Sequence, residues 1–169
     1  MERTFEVTED LLASQGQRLA NSILDLIAYY FIVFSLGIII ALLGELTGNP
    51  YITESLNNIN GLVDILLSIT ITSAYFYFFE IFTSATLGKL ITKTIVVDQY
   101  GDKPDSTQLL KRTLSRLIPF DAFSYLGTPS RGWHDTISNT YVVKKEAFLT
   151  AKELFYSLDE IGNDIENNN

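Results

Sequence analysis

Two stretches of the chain are apolar for much longer than the rest. From Leu19 to Leu43 it reads LANSILDLIAYYFIVFSLGIIIALL, with Asp25 as the only charge, and from Gly61 to Phe82 it reads GLVDILLSITITSAYFYFFEIF. About 20 mostly apolar residues span the hydrocarbon core of a bilayer, so both stretches predict transmembrane helices. A buried hairpin of a soluble protein is the competing reading, but soluble helices of this length carry a charged face, and neither stretch has one. The segment between them, Gly44 to Asn60 (GELTGNPYITESLNNIN), is rich in turn formers and predicts a loop. The aromatic run Tyr75 to Phe79 suits a membrane–water boundary.

Beyond the second stretch the pattern changes. Lys93 to Val97 (KTIVV) and Asn139 to Val143 (NTYVV) predict two short strands that pair, with Asp98 to Pro104 as a turn after the first. Asp105 or Ser106 caps a helix, STQLLKRTLSRLI. Leu109, Leu110, Leu114, Leu117 and Ile118 are its apolar residues, and Lys111, Arg112 and Arg116 lie on the other face. Beside a membrane such a helix lies in the interface against anionic lipid headgroups; packing on cytoplasmic protein gives the same pattern. After Lys145 a second amphipathic helix (EAFLTAKELFYSLDEI) leads to a polar tail from Glu166 to Asn169, expected to be disordered. The expected fold is an all-α membrane protein: a two-helix transmembrane hairpin, an interfacial amphipathic helix and a small cytoplasmic strand pair. Residues 1–145 form the membrane domain and 146–169 a cytoplasmic helix and tail.

Charge fixes the orientation. The mean hydropathy of +0.18 hides a segregation: no Lys or Arg occurs between Arg18 and Lys89. The positive-inside rule therefore places both termini in the cytoplasm and Glu45 and Glu54 on the outer side. The start is acidic (Glu2, Glu6, Glu9, Asp10) and the first apolar run too long for a signal core, so that run is expected to stay in the membrane. A net charge of −8 and a pI near 4.5 argue against nucleic-acid binding. With no cysteine and one histidine, disulfides, thiolate sites and multi-histidine zinc sites are excluded, and no cofactor is expected.

The candidate chemistry is the polar residues within the apolar stretches. Arg18, Asn21, Ser22, Asp25 and Tyr29 share one helical face. Arg18 and Asp25 are two turns apart, about 10 Å along the axis, so each is expected to find partners on other elements. In the second stretch Ser73, Tyr77, Glu80 and Ser84 form a similar stripe, and Asp64 lies near the other mouth. Ionisable groups in hydrocarbon cost at least about 2.5–3.5 kcal/mol and must be paired, hydrated or neutralised. For Asp25 two roles stay open: a clamp between helices, or a proton or cation site. An enzyme is not expected. Gly88-Lys89 lacks the earlier glycine and following Ser or Thr of a phosphate-binding loop, and His134-Asp135 with Ser130 or Ser138 lacks a nucleophile elbow. Trp133 is expected to anchor its loop at the interface, and Asp135 to pair with Arg112 or Arg116.

The same residues carry a family resemblance. The chain resembles the RDD family of bacterial membrane proteins, named for one Arg and two Asp. Its Arg and first Asp match Arg18 and Asp25 in RLANSILD. Thr86, Gly88 and Lys89 in TLGKLITKTIVV resemble the T-x-G-K segment after the second span. RLIPFDAFSYL fits a Pro-containing stretch, and GWHDTISNTYVV resembles the closing signature, with Asp135 as the second Asp. The resemblance covers about Gln17 to Val143. It implies a protein of the bacterial cytoplasmic membrane and, from what has been proposed for some members, a transport role that includes sodium–proton exchange. Two spans enclose little volume, so a transport path would need a homo-oligomer or a membrane partner protein, with Arg18, Asp25 and Glu80 facing its interior. The competing reading is a non-transporting adaptor that binds a partner protein or lipid headgroups through its cytoplasmic helices.

Overall fold

The computed structural model describes residues 4–49, 51, 52, 54 and 58–167, with side chains to residue 161. After a short 3-10 turn at Glu9–Leu11, helix α1 runs Gln15–Thr47. Ser14 starts it with a reciprocal cap: Gln17 N donates to Ser14 Oγ at 3.2 Å, and Ser14 N donates to Gln17 Oε1 at 3.0 Å. Gly48 stops it in the left-handed conformation, φ 61°. The helix thus continues into the predicted linker and includes Glu45. Helix α2 spans Gly61–Thr83, capped by the Asn60 side chain, which accepts from Leu62 N at 2.9 Å.

Both helices are long and apolar enough to cross a membrane, and almost none of their apolar residues are covered by the rest of the chain. Phe31 is 72% exposed and Leu46 82%. The two hardly pack on each other. A five-residue helix, α3 (Leu87–Ile91), packs on α1, and helix α4 (Ser106–Ser115) packs on α2. The hairpin is held at one end, through these short elements.

Strands β1 (Thr94–Asp98) and β2 (Thr140–Lys144) pair antiparallel, Thr94 opposite Lys144 and Asp98 opposite Thr140, one residue on from the two predicted runs. The segment before α1 joins them, with Ala13 N donating to Val142 O at 2.8 Å. One face of this unit is a small core of Phe5, Leu11, Leu12, Val97, Val143 and Phe148. Gly101, at φ 73°, lies close against it: a Cβ there would sit 2.9 Å from both Phe5 and Phe148. Phe148 belongs to helix α6 (Lys145–Asn167), so its first turns are tied into this core. α6 runs past Glu166 to Asn167, where a disordered tail was predicted; Asn168 and Asn169 lie outside the described residues.

Helix α4 departs from expectation in its facing. It starts as predicted, with Asp105 and Gln108 capping reciprocally. Arg112 is fully buried, however, and Arg116 is mostly so, while Leu110, Leu114 and Leu117 are exposed. Its arginines turn inward because two buried carboxylates await them there; Leu109 is buried as well, and the other leucines face out.

Candidate functional site

Where α1, α2, α3 and α4 meet the strand pair, buried charges form a continuous network. At its centre is Glu80, near the end of α2. Its carboxylate accepts from Lys89 Nζ at 3.0 Å, Arg112 Nε at 3.1 Å and Arg116 Nη2 at 3.0 Å. Three cations surround one fully buried carboxylate, the pairing a buried charge requires. Arg112 extends the network: its Nη1 donates to Asp135 and, at 2.8 Å, to Thr140 Oγ1. Burial works against the Arg112 charge, but Glu80 and Asp135 more than offset it and raise its pKa.

Asp135, on helix α5 (Trp133–Ser138), is bonded to two arginines. Besides Arg112 it pairs with Arg18 Nη2 at 2.6 Å, and Gly132 N donates to its other side at 2.7 Å. Burial would raise its pKa, but the two guanidinium groups hold it well below the ordinary carboxylate range. His134 is fixed between Asp121 and Arg18. Its Nδ1 lies 2.5 Å from Asp121 Oδ2, and its Nε2 lies 3.2 Å from Arg18 Nη2. A guanidinium can only donate, so Nε2 carries the lone pair and Nδ1 the proton. Burial, with Arg116 and Arg112 nearby, pushes this imidazole down to about 4. Neither Ser130 nor Ser138 bonds the ring; Ser138 Oγ donates to the His134 carbonyl at 2.6 Å.

Asp25 sits beside this network without a cation bonded to it. Its carboxylate accepts from Thr86 Oγ1 at 2.6 Å, Tyr75 Oη at 2.8 Å and Gly88 N at 2.8 Å. One α1 side chain therefore ties α1 to both α2 and α3. The T-x-G-K residues divide the work. Thr86 caps α3, donates to Asp25 and accepts from Lys89 Nζ at 3.2 Å. Gly88 lets α3 approach: a Cβ there would lie 2.5 Å from Asn21 O and 3.0 Å from Asp25 Oδ1. Lys89 reaches Glu80, and its burial pulls its pKa down to about 8 against the opposing pull of that carboxylate. Asn21 completes the joint by bonding the hydroxyls of Thr92 and Thr94.

Of the residues singled out in the sequence, Arg18, Glu80 and Asp135 join in one network. Asp25 and Asn21 make a separate joint with α3, linked to that network through Thr86 and Lys89. Arg18 and Asp25 do not pair with each other, as their spacing predicts. Asp135 pairs with Arg112 as expected, not with Arg116, and with Arg18 besides. Sequence reasoning missed Lys89, Asp121 and Tyr75 as members, and it left open whether Arg112 and Arg116 meet lipid headgroups or protein. A readable signal existed: Glu80 needed a partner, and the nearest basic residue, Lys89, follows the second stretch.

The network borders a cavity of about 330 Å³ between α1, α2 and α4. Arg18, Lys89, Arg112 and Arg116 line it together with the apolar Leu26, Phe76 and Leu117. Arg116 lies over the Phe76 ring, 4.1 Å from its centroid. Among the described residues no cluster of His, Asp or Glu is arranged to hold a metal ion. No curated protein and no solved structure matches the chain. The RDD family model matches residues 12–143, which include Arg18, Asp25, the Thr86–Lys89 segment and Asp135, and the chain belongs to that family.

Proposed function

We propose that the protein is a two-span integral protein of the bacterial cytoplasmic membrane, with both termini in the cytoplasm, and that it serves cation- or proton-coupled transport of a small charged solute. It acts alone as an oligomer or as a subunit of a larger system. The uncovered apolar surfaces of α1 and α2 support insertion. The Lys and Arg residues that follow α2 support the orientation. The observation that carries the transport reading is the cavity, which places a charged wall between two helices that hardly touch. In this reading Asp25 is the clamp of the hairpin, because three donors already occupy its carboxylate. The solute meets the Arg18–Arg116 side. Enzymatic chemistry has no place in it, since the His134 ring is held by Asp121 and Arg18.

The test is cation-dependent proton flux in proteoliposomes, wild type beside Arg116→Gln and Asp25→Asn. Flux in the wild type that a folded Arg116→Gln loses supports the reading. A wild type that moves no proton under sodium, potassium or lithium gradients overturns it.

An adaptor role has its own supporting observation. Helix α6 leaves Leu149, Leu154, Leu158 and Ile161 exposed. Deleting residues 157–169 spares Phe148 and Phe155, which pack in the core. Loss of a co-purifying partner with flux unchanged would assign α6 to an adaptor function carried beside transport.

A further inference from the structure

The cavity differs from the rest of the network in which hydrogen-bonding groups remain unused. Its carboxylates are engaged: Asp25 accepts from Thr86, Tyr75 and Gly88, and Asp121 accepts from His134 N at 3.0 Å and faces the His134 ring. Its donors are not. Arg112 Nη2, Arg116 Nε and Thr113 Oγ1 are buried and have no partner in the protein, and all three residues line the cavity. Arg112 is fully buried and Thr113 is 3% exposed. A buried donor without an acceptor is costly, more so when charged, so three among the cavity-lining residues are a sustained cost unless something accepts from them.

We infer that this wall binds an oxyanion of the phosphate type, held by the Arg112 and Arg116 guanidinium groups and the Thr113 hydroxyl. Guanidinium N–H groups match the spacing of oxyanion oxygens, and a hydroxyl adds a third donor. The carboxylates of the network, Glu80, Asp121 and Asp135, are already bonded to its own cations and ring, so what is left over on this wall is donor capacity. Leu26, Phe76 and Leu117 give the cavity a stretch of apolar wall, Leu26 on α1 and Phe76 on α2, next to Arg116, which stacks on the Phe76 ring. The oxyanion is therefore either a free solute or the headgroup of an anionic phospholipid whose chains follow that wall. The inference names the solute class of the site on which the transport reading rests.

The experiment uses the full chain in nanodiscs of zwitterionic phosphatidylcholine. Inorganic phosphate and sulfate are titrated against chloride at constant ionic strength, and both melting temperature and radiolabelled phosphate retention are read. A parallel arm uses mixed phosphatidylglycerol–phosphatidylcholine discs and native mass spectrometry to count retained phosphatidylglycerol. Saturable binding of phosphate or sulfate supports a free-solute site, and retained phosphatidylglycerol supports a headgroup site. Either is expected to weaken at least about ten-fold in Arg116→Gln and a few-fold in Thr113→Val, which keeps size and charge and removes only the hydroxyl. If neither arm shows retention, or if retention is unchanged in a folded Thr113→Val and Arg116→Gln, the inference is overturned. Binding without flux would sink the transport reading alone, and flux without binding would sink this inference alone.

Discussion

The Arg18 guanidinium lies 2.6 Å from the Asp135 carboxylate, joining the start of the long apolar helix α1 to the short helix before β2. Both groups are buried, and Asp135 is shared with Arg112. The three residues that match the family's Arg and two Asp thus do not form one triad. Arg18 and Asp135 lock the strand-pair unit to the hairpin, and Asp25 locks the hairpin to α3. Removing one partner of a buried pair strands the other charge and costs about 3–5 kcal/mol. Asp135→Asn is expected to lose that much, measured by denaturation in detergent. Arg18→Gln added to Asp135→Asn should cost less than the sum of the singles, because the second removal relieves the stranded charge. Strict additivity would mean that the pair is not coupled in the membrane-embedded protein.

Gly88 is the tightest contact between α3 and α1. A methyl group there would meet Asn21 O at 2.5 Å, and backbone cannot move aside as a flexible side chain can. Gly88→Ala is expected to destabilise by about 1–3 kcal/mol, the usual cost of overpacking. The same substitution at Gly37, where nothing lies within 4 Å, should be neutral or mildly stabilising in a helix. Equal melting temperatures for the two variants would show that α3 does not approach α1 so closely.

Thr86 hydrogen-bonds in three directions from one hydroxyl. Thr86→Val keeps the shape and leaves Asp25 one donor short, at an expected cost of about 1–3 kcal/mol. Thr86→Ser keeps the hydroxyl and should recover most of that loss. If Val and Ser variants melt together, the Asp25 carboxylate does not depend on this bond.

His134 makes stability depend on pH in a stated direction. Its pKa is about 4 in the folded protein, against 6.5 for the ordinary group. Between those values the unfolded chain takes up a proton that the folded one refuses, so this stability is complete above pH 6.5. It is lost as pH falls toward 4, by on the order of 3 kcal/mol. Melting temperature should therefore fall between pH 7 and pH 4.5. His134→Gln, which cannot titrate, should fall less over the same interval. A steeper fall in the variant than in the wild type would contradict a neutral buried imidazole.

Hydrophobic length and charge segregation were enough to read α1, α2 and the strand pair from the chain, because each is a local property. Asn60 and Asp105 carry their caps in the sequence as well. Helix α3 was not legible: five residues carry no periodicity, and only contact with α1 through Gly88 explains them.

The sequence alone determined that two apolar helices carry Arg18, Asp25 and Glu80, and that those charges needed partners, since isolated ions in an apolar setting are too costly. It did not determine which partners. Arg112 and Arg116 read as one basic face, set against lipid headgroups or packed on protein, because helical spacing reports that two residues share a face and not where that face points. Only the tertiary structure decided that they turn inward onto Glu80 and Asp135. Ion pairing across elements depends on the position of both groups in space, and that position is set by how α4, α5 and β2 pack together.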